Sequence, residues 1–251
     1  MKSVMDLHHG DCIVIMGDLI KKGVKVDMIL TDLPYGVTSF EWDTVIDTVA
    51  MWSRIKGLSK PTTPTLLFGI EPFASKIRMS NIKDYKYDWY WKKSRPAGFA
   101  YAKNQPMRTI ENISVFYKKK PFYDSVGEPY EKVKGRIQRH HTPNDENGFF
   151  LGGGVGYIKE PIQYTHKRKK NFLEFNSLHN SKKVIQHPTQ KPTDLLEYLI
   201  KTYTNEGDTV LDFTAGSFST GVACKNLNRN FIGIEINEHF YNIGLQKLKE
   251  L

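Results

Sequence analysis

The stretch Val26-Asp27-Met28-Ile29-Leu30-Thr31-Asp32-Leu33-Pro34-Tyr35-Gly36 runs a short apolar segment into a polar, proline-stiffened turn. Open α/β sheets build their ligand sites at the carboxyl ends of buried strands, so an acid and an aromatic ring placed there point to a catalytic centre. Its candidate residues are Asp32, Leu33, Pro34 and Tyr35. On the amino-terminal side, Ser3 to His9 reads as a strand, and Gly10-Asp11 opens a helical pattern with Ile13, Val14 and Leu19 as apolar positions. Asp11 is the candidate N-cap, its carboxylate accepting a backbone N–H of the first turn. On the other side, Asp43 to Leu58 carries Val45, Ile46, Val49, Trp52 and Ile55 at helical spacing until Pro61 breaks it, and Thr65 to Gly69 follows as a second buried strand. Strand, helix, strand at this spacing predicts a parallel sheet with right-handed crossovers.

Further along, Tyr87 to Lys93 and Asn112 to Tyr117 read as two strands at the sheet's edge, joined by the loop Pro96 to Arg108. That loop is long enough to be functional rather than a tight turn. The last third returns to α/β order. A helix carries Leu195, Leu196, Leu199 and Ile200 on one face, with Thr193 as its candidate N-cap. Gly207 to Asp212 gives a turn and a strand, Phe213 to Gly221 a small-residue loop, and Gly221 to Leu227 a helix. The strand Phe231 to Glu235 and the amphipathic helix Asn237 to Leu248 close the chain.

At 251 residues the chain can bury a sizeable core, and its 12% aromatic content is that of a folded protein. A formal net charge of +9 favours a polyanionic partner. The charge is concentrated, because Lys118 to Lys183 holds fourteen Lys or Arg against seven Asp or Glu, a net +7. We expect 118–183 to be an inserted recognition region that follows a nucleic-acid backbone, set between 1–117 and 184–251. The cluster Gly152, Gly153, Gly154 and Gly156 lacks the GK[ST] ending of a phosphate loop. The adjacent His140 and His141 have no second ligand pair at a suitable spacing, so no metal site is expected. Two cysteines, Cys12 and Cys224, make neither a disulfide framework nor a four-cysteine zinc site. With no stretch near the roughly 18 apolar residues of a membrane helix and no apolar signal core, a cytoplasmic protein without membrane contact is expected.

Asp212 leads into a glycine-containing loop, and Glu235 ends the next strand 23 residues on. That is the logic of nucleotide cofactor sites, although Gly216 and Gly221 alone do not make a GxGxxG fingerprint. The combination of motifs is more specific. Asp32-Leu33-Pro34-Tyr35 resembles the DPPY motif of amino-group DNA methyltransferases, and Asp212-Phe213-Thr214-Ala215-Gly216-Ser217-Phe218-Ser219-Thr220 resembles their DPFxGSGTT cofactor loop. His187-Pro188-Thr189-Gln190-Lys191-Pro192 is similar to their TQKP element, and the order of the three matches the circularly permuted group called beta.

The resemblance implies a Rossmann-like S-adenosylmethionine-dependent methyltransferase fold, mostly parallel with one antiparallel edge strand, plus a small recognition insertion. It implies S-adenosyl-L-methionine as cofactor, double-stranded DNA as partner, base flipping, and a restriction–modification or solitary setting; monomer and homodimer both stay open. Carried over by residue, Glu235 holds the ribose hydroxyls, and Asp212 with Thr214, Ala215, Gly216 and Ser217 borders the methionine part. Thr189, Lys191 and Pro192 close the methionine end, and Asp11 with the adjacent Cys12 meets the cofactor's adenine. The expected reaction is methylation of adenine N6 by direct displacement, Asp32 and the Leu33 carbonyl each accepting one N–H of the base. Alternatives are methylation of cytosine N4, an RNA substrate, and a DNA-binding protein of the same fold with impaired catalysis. This last follows from Phe218, which stands where the pattern has Gly: either the loop takes another path there or cofactor binding is weakened.

Overall fold

The structure, a computed structural model, describes residues 3–36, 44–129, 139–141, 155–157, 166–177 and 190–250. It divides into two compact units, Met1–Asp124 with Asn171–Leu251, and Ser125–Lys170. In chain order the elements are β1 (Met5–His9), α1 (Cys12–Lys21), β2 (Met28–Asp32), α2 (Thr48–Leu58), β3 (Thr65–Gly69), α3 (Phe73–Ser80), β4 (Tyr85–Ala97) and β5 (Arg108–Phe116). The smaller unit holds β6 (Val126–Pro129), β7 (Arg139–His141), β8 (Val155–Tyr157) and β9 (His166–Arg168). The chain ends with β10 (Phe172–Phe175), α4 (Thr193–Tyr203), β11 (Thr209–Asp212), α5 (Ser219–Asn226), β12 (Asn230–Glu235) and α6 (Glu238–Lys249).

The large unit is an eight-stranded sheet in the order β1-β12-β11-β2-β3-β5-β4-β10. All neighbours are parallel except β5, which runs antiparallel to both β3 and β4. The expected mostly parallel sheet is present, but its antiparallel strand is not at an edge. The edge on this side is β10, parallel to β4, with Leu173 buried and the Trp91 indole N–H donating to the Phe175 carbonyl oxygen at 3.0 Å; β1 is the other edge. This also corrects the boundaries drawn from charge. Residues 118–124 and 171–177 belong to the large unit, because backbone pairing and apolar burial, not charge, decide which body a segment joins. In the small unit β6 pairs with β9 and β7 with β8, both antiparallel. The glycine cluster at 152–154 lies outside the described residues.

Period-two alternation sends alternate strand residues to opposite faces. Met28, Leu30, Leu66, Phe68, Ile113, Val115, Trp89 and Trp91 pack on the side covered by α4, α5 and α6. Ile29, Leu67, Leu211, Ile232 and Ile234 pack on the side covered by α1, α2 and α3. Helices on both faces of a parallel sheet are the doubly wound solution to burying it.

Local chemistry sets the helix starts. Asp11 caps α1, accepting the Val14 N–H at 2.9 Å, and Asn237 caps α6 through the Phe240 N–H. Asp47 caps α2, so Val45 and Ile46 precede that helix instead of lying within it. Thr193 is the first helical residue of α4 and not its cap; Pro192, extended at φ −61°, ψ 133°, takes the cap position without a side-chain acceptor. Among the described residues no helix is long and apolar enough to cross a membrane.

Candidate functional site

The chain changes direction between β11 and β2. From β2 it winds outward to β3, and from β11 it winds the other way to β12, so the two strands flank the topological switch point. Their ladder pairs only Val210 with Met28 and Leu211 with Ile29, which ends it one residue short of Asp212. A crevice at the carboxyl ends is the consequence. It is a cavity of about 550 Å³, within the range of small-molecule sites.

Asp11, Cys12, Asp32, Leu33, Pro34, Tyr35, Lys191, Asp212, Thr214, Ala215, Gly216, Ser217 and Glu235 all line this cavity. Pro192 does not; it is buried at the start of α4. Thr189, with His187 and Pro188, lies outside the described residues. Lys191 lines the wall, but its ammonium is held by Asp32 and by Glu111, at 3.0 Å from Glu111 Oε1.

Two groups of side chains organise the walls. At the β11–β2 end, Asp212 accepts hydrogen bonds from the hydroxyls of Thr31 at 2.7 Å and Thr220 at 2.6 Å, and from the Thr214 N–H at 3.2 Å. Thr214 replaces the Phe of the pattern, and its hydroxyl donates to the Asp32 backbone carbonyl at 2.9 Å, tying the two motifs together. Burial pushes the Asp212 carboxyl up to about 6 against these donors. Glu235 accepts the N–H of Gly216 at 2.7 Å and of Asn237 at 2.8 Å, and burial raises its carboxyl too. Gly216 adopts φ 53°, which glycine reaches without a Cβ penalty and which turns its N–H onto Glu235. Asp212 Oδ1 takes two of its three donors and Oδ2 only the Thr220 hydroxyl, so Oδ2 is the oxygen with a lone pair left for a ligand hydroxyl or amine.

The second group joins the expected Asp32, Tyr35 and Lys191 to two residues that sequence reading missed, Glu111 and Lys93. Strand rows on the α4–α6 face run Met28-Leu30-Asp32, Leu66-Phe68, Val115-Ile113-Glu111 and Trp89-Trp91-Lys93, and each ends at the same edge of the sheet. Thus Asp32, Glu111 and Lys93 converge although 79 residues separate the first two. Tyr35 Oη donates to Asp32 Oδ1 at 2.6 Å and lies 3.2 Å from Glu111 Oε1. Lys93 Nζ is 3.1 Å from Glu111 Oε2, and Lys191 Nζ stands 5.0 Å from the Phe68 ring centroid. Burial lifts the Asp32 carboxyl above its ordinary value, with Lys191 opposing and Glu111 adding to the rise. Burial also works against ionisation of Glu111, but Lys191 and Lys93 together hold it below the ordinary value. The signal in sequence was an acid and a lysine continuing two inward-facing apolar rows, which alternation alone exposes once the strands are known.

Phe218 takes φ 56°, in the left-handed region that favours glycine. Its ring points out of the cavity and is fully buried against Phe231 and Tyr241. Space for it comes from glycines: a Cβ on Gly244 would stand 2.3 Å from Phe218 Cδ2, and one on Gly233 3.2 Å from Cε1. The Cys12 thiol is pushed up to about 12 by burial and Asp11, and Cys224 is buried in the core. Neither is a thiolate at neutral pH.

The same architecture recurs in solved structures. The M1.HpyAVI–SAM complex superposes with a TM-score of 0.65 at 25% identity, covering 97% of this chain and 98% of that one. The cytosine-N4-specific PvuII DNA methyltransferase gives 0.65 at 14% identity, a likeness of fold. In sequence, DNA adenine methyltransferase YhdJ of Escherichia coli K12 is 41% identical over 97 residues, 38% of this chain and 33% of that protein. The chain thus matches about a third of YhdJ's length. Type II methyltransferase M1.MboII of Moraxella bovis is 27% identical over 261 residues, covering 96% of this chain and 95% of its own. The DNA methylase family profile matches residues 26–246, from β2 with its acid–aromatic turn through the cofactor-type loop into α6. A permuted motif order, one cavity lined by those motifs and a profile spanning most of the chain converge: the chain belongs to the N6/N4 amino-group DNA methylase family.

Proposed function

We propose that the protein transfers a methyl group from S-adenosyl-L-methionine to an exocyclic amino nitrogen of DNA, adenine N6 being the acceptor. The observation that carries this reading is the single cavity in which the Asp32–Tyr35 turn faces Asp212, Gly216, Glu235 and Asp11. These residues fit the cofactor by their chemistry. Three carboxylates at strand ends suit a ligand with ribose hydroxyls, an amine and net positive charge, and a side-chain-free Gly216 admits it closely. Asp11 keeps one carboxylate oxygen on the Val14 N–H and has acceptor capacity left for an adenine amino group. When bound, the cofactor supplies an electrophilic methyl on a sulfonium.

The rest is done by the chain. An amino nitrogen conjugated to a purine is a poor nucleophile, so the protein must favour the form whose lone pair faces the methyl. Asp32 and the Leu33 carbonyl accept its two N–H groups, and both contacts strengthen as positive charge grows on nitrogen. Leu33 stands for the first proline of the pattern and holds the turn by packing its side chain into the α1–α3 core. Tyr35 is anchored by its hydroxyl and by Phe73, at 5.1 Å between ring centroids, and leaves a cavity-lining ring for the base. A duplex buries the target nitrogen, so the base must leave the stack, at a cost of a few kcal/mol. Phosphate contacts from the basic 118–183 region offset that cost.

Adenine is preferred over cytosine because an Asp occupies the first motif position, and the similarity to YhdJ, named as an adenine methyltransferase, supports it. Expression in a methylation-free host with single-molecule mapping of modified bases tests the assignment. N6-methyladenine at one recurring sequence is the expected result; N4-methylcytosine would replace the acceptor, and an unmodified genome would sink the activity.

A further inference from the structure

We propose that Glu111 is a positioning residue for the transfer: it is the alternative seat for the Lys191 ammonium and the Tyr35 hydroxyl, drawing both off Asp32 when the target base enters. The proposal rests on the methyltransferase reading and deepens it. Lys191 Nζ lies between the two carboxylates, paired with Asp32 Oδ2 and 3.0 Å from Glu111 Oε1. Tyr35 Oη straddles the same pair, 2.6 Å from one and 3.2 Å from the other. Both bridges need only a short displacement to rest on Glu111 alone.

The chemistry gives that displacement a purpose. With the base absent, Asp32 Oδ1 accepts from Tyr35 and Oδ2 is paired with Lys191, and the Asp32–Lys191 ion pair as a whole is neutral. Positive charge developing on the amino nitrogen is stabilised more by a carboxylate with free lone pairs and an unpaired negative charge than by one already neutralised by an ammonium. Glu111 is suited to be the second seat because it is buried, with only 6% of its side chain exposed, and is fixed from behind by Lys93 Nζ at 3.1 Å. It therefore holds Lys191 without leaving an isolated buried charge. In the transfer the N–C bond forms as the S–C bond breaks, the electron pair goes to sulfur, and the nitrogen sheds one proton, for which a freed Asp32 carboxylate is the adjacent acceptor.

The groups facing Asp32 are Lys191 from the segment before α4, Glu111 from β5, Tyr35 from the turn and Asp212 from β11, with Lys93 of β4 behind Glu111. Replacing Glu111 by the isosteric Gln leaves Lys191 only Asp32 to pair with. Glu111→Gln is expected to lower kcat about tenfold to a hundredfold with cofactor affinity unchanged. Loss of the neighbouring anion also eases Asp32 ionisation, so the acid limb of the kcat profile should move to lower pH while its plateau falls. Glu111→Asp, which keeps the charge, should restore the limb and part of the rate, and serves alone if the Gln variant does not fold.

Carbon-13 carboxyl titration of aspartate-labelled protein reads Asp32 directly, and should place it lower in Glu111→Gln than in the wild type. Unchanged kcat, or a lowered kcat with the limb and the Asp32 titration unmoved, would overturn the proposal. A wild-type protein that methylates no DNA would sink the methyltransferase reading instead, and the titration would still decide whether Glu111 acts on Asp32.

Discussion

The acids at the site sit in different electrostatic surroundings, and this separates their expected roles. Asp32→Ala should abolish methyl transfer while cofactor affinity stays nearly intact, and Glu235→Ala should weaken cofactor binding first; calorimetric titration beside single-turnover kinetics checks both. Asp212 allows a pH test. With its carboxyl near 6 and the ordinary value at 3.8, the folded apo protein binds a proton between about pH 4 and 6 that the unfolded chain has released. Apo stability should therefore fall as pH rises through that window, by on the order of 3 kcal/mol at about 1.4 kcal/mol per pKa unit. A cationic cofactor favours the ionised carboxylate, so its affinity should rise with pH up to about 6 and then level. Isothermal titration from pH 5 to 8 measures this, and an affinity flat across the range would remove Asp212 from the cofactor's surroundings.

Elements hold the site through caps and close packing. Asp11 both caps α1 and lines the cavity, and substitution can divide the two roles. Asp11→Asn keeps a side-chain acceptor for the Val14 N–H and should leave stability within a few tenths of a kcal/mol, whereas Asp11→Ala should cost about 1 kcal/mol in denaturant unfolding. Both should lose cofactor affinity in calorimetric titration, Asp11→Ala more than Asp11→Asn. At the other face of the loop that follows β11, Phe218 and Gly244 form a lock between α5 and α6. Gly244→Ala should lower the melting temperature clearly, because its Cβ meets a fully buried ring. Phe218→Ala should lose about 3–5 kcal/mol as a buried aromatic deletion. Weaker cofactor binding in Gly244→Ala at temperatures where the fold is intact would show that the loop senses this packing.

Across the whole molecule, charge and chemistry are divided between segments. The large unit holds the cavity, and residues 118–183 carry +7 of the chain's charge, including the run Lys167-Arg168-Lys169-Lys170. DNA affinity should fall steeply with salt, and changing those four residues to Gln should flatten the slope of log K against log salt by up to about 4 without altering cofactor binding. Equal slopes for the variant and the wild type would place the DNA-contacting charge elsewhere.

Much of this protein was determined by local sequence. Apolar runs of strand length, separated by helical periods and broken by Pro61 and Gly207, specify a parallel α/β sheet because each segment must bury a face. The cofactor-type acids and the Asp32–Tyr35 turn were readable because they sit at strand ends in fixed local order. Tertiary structure alone decided three other matters. Residues 172–175 became the sheet edge, since pairing partners are not encoded in a segment's own composition. Phe218 took a glycine's conformation without filling the cavity, because Gly233 and Gly244, distant in sequence, leave room for its ring. Glu111 and Lys93 came to lie beside Asp32 and Lys191 because four strand rows end at one level, a register set by pairing across the sheet and invisible along the chain.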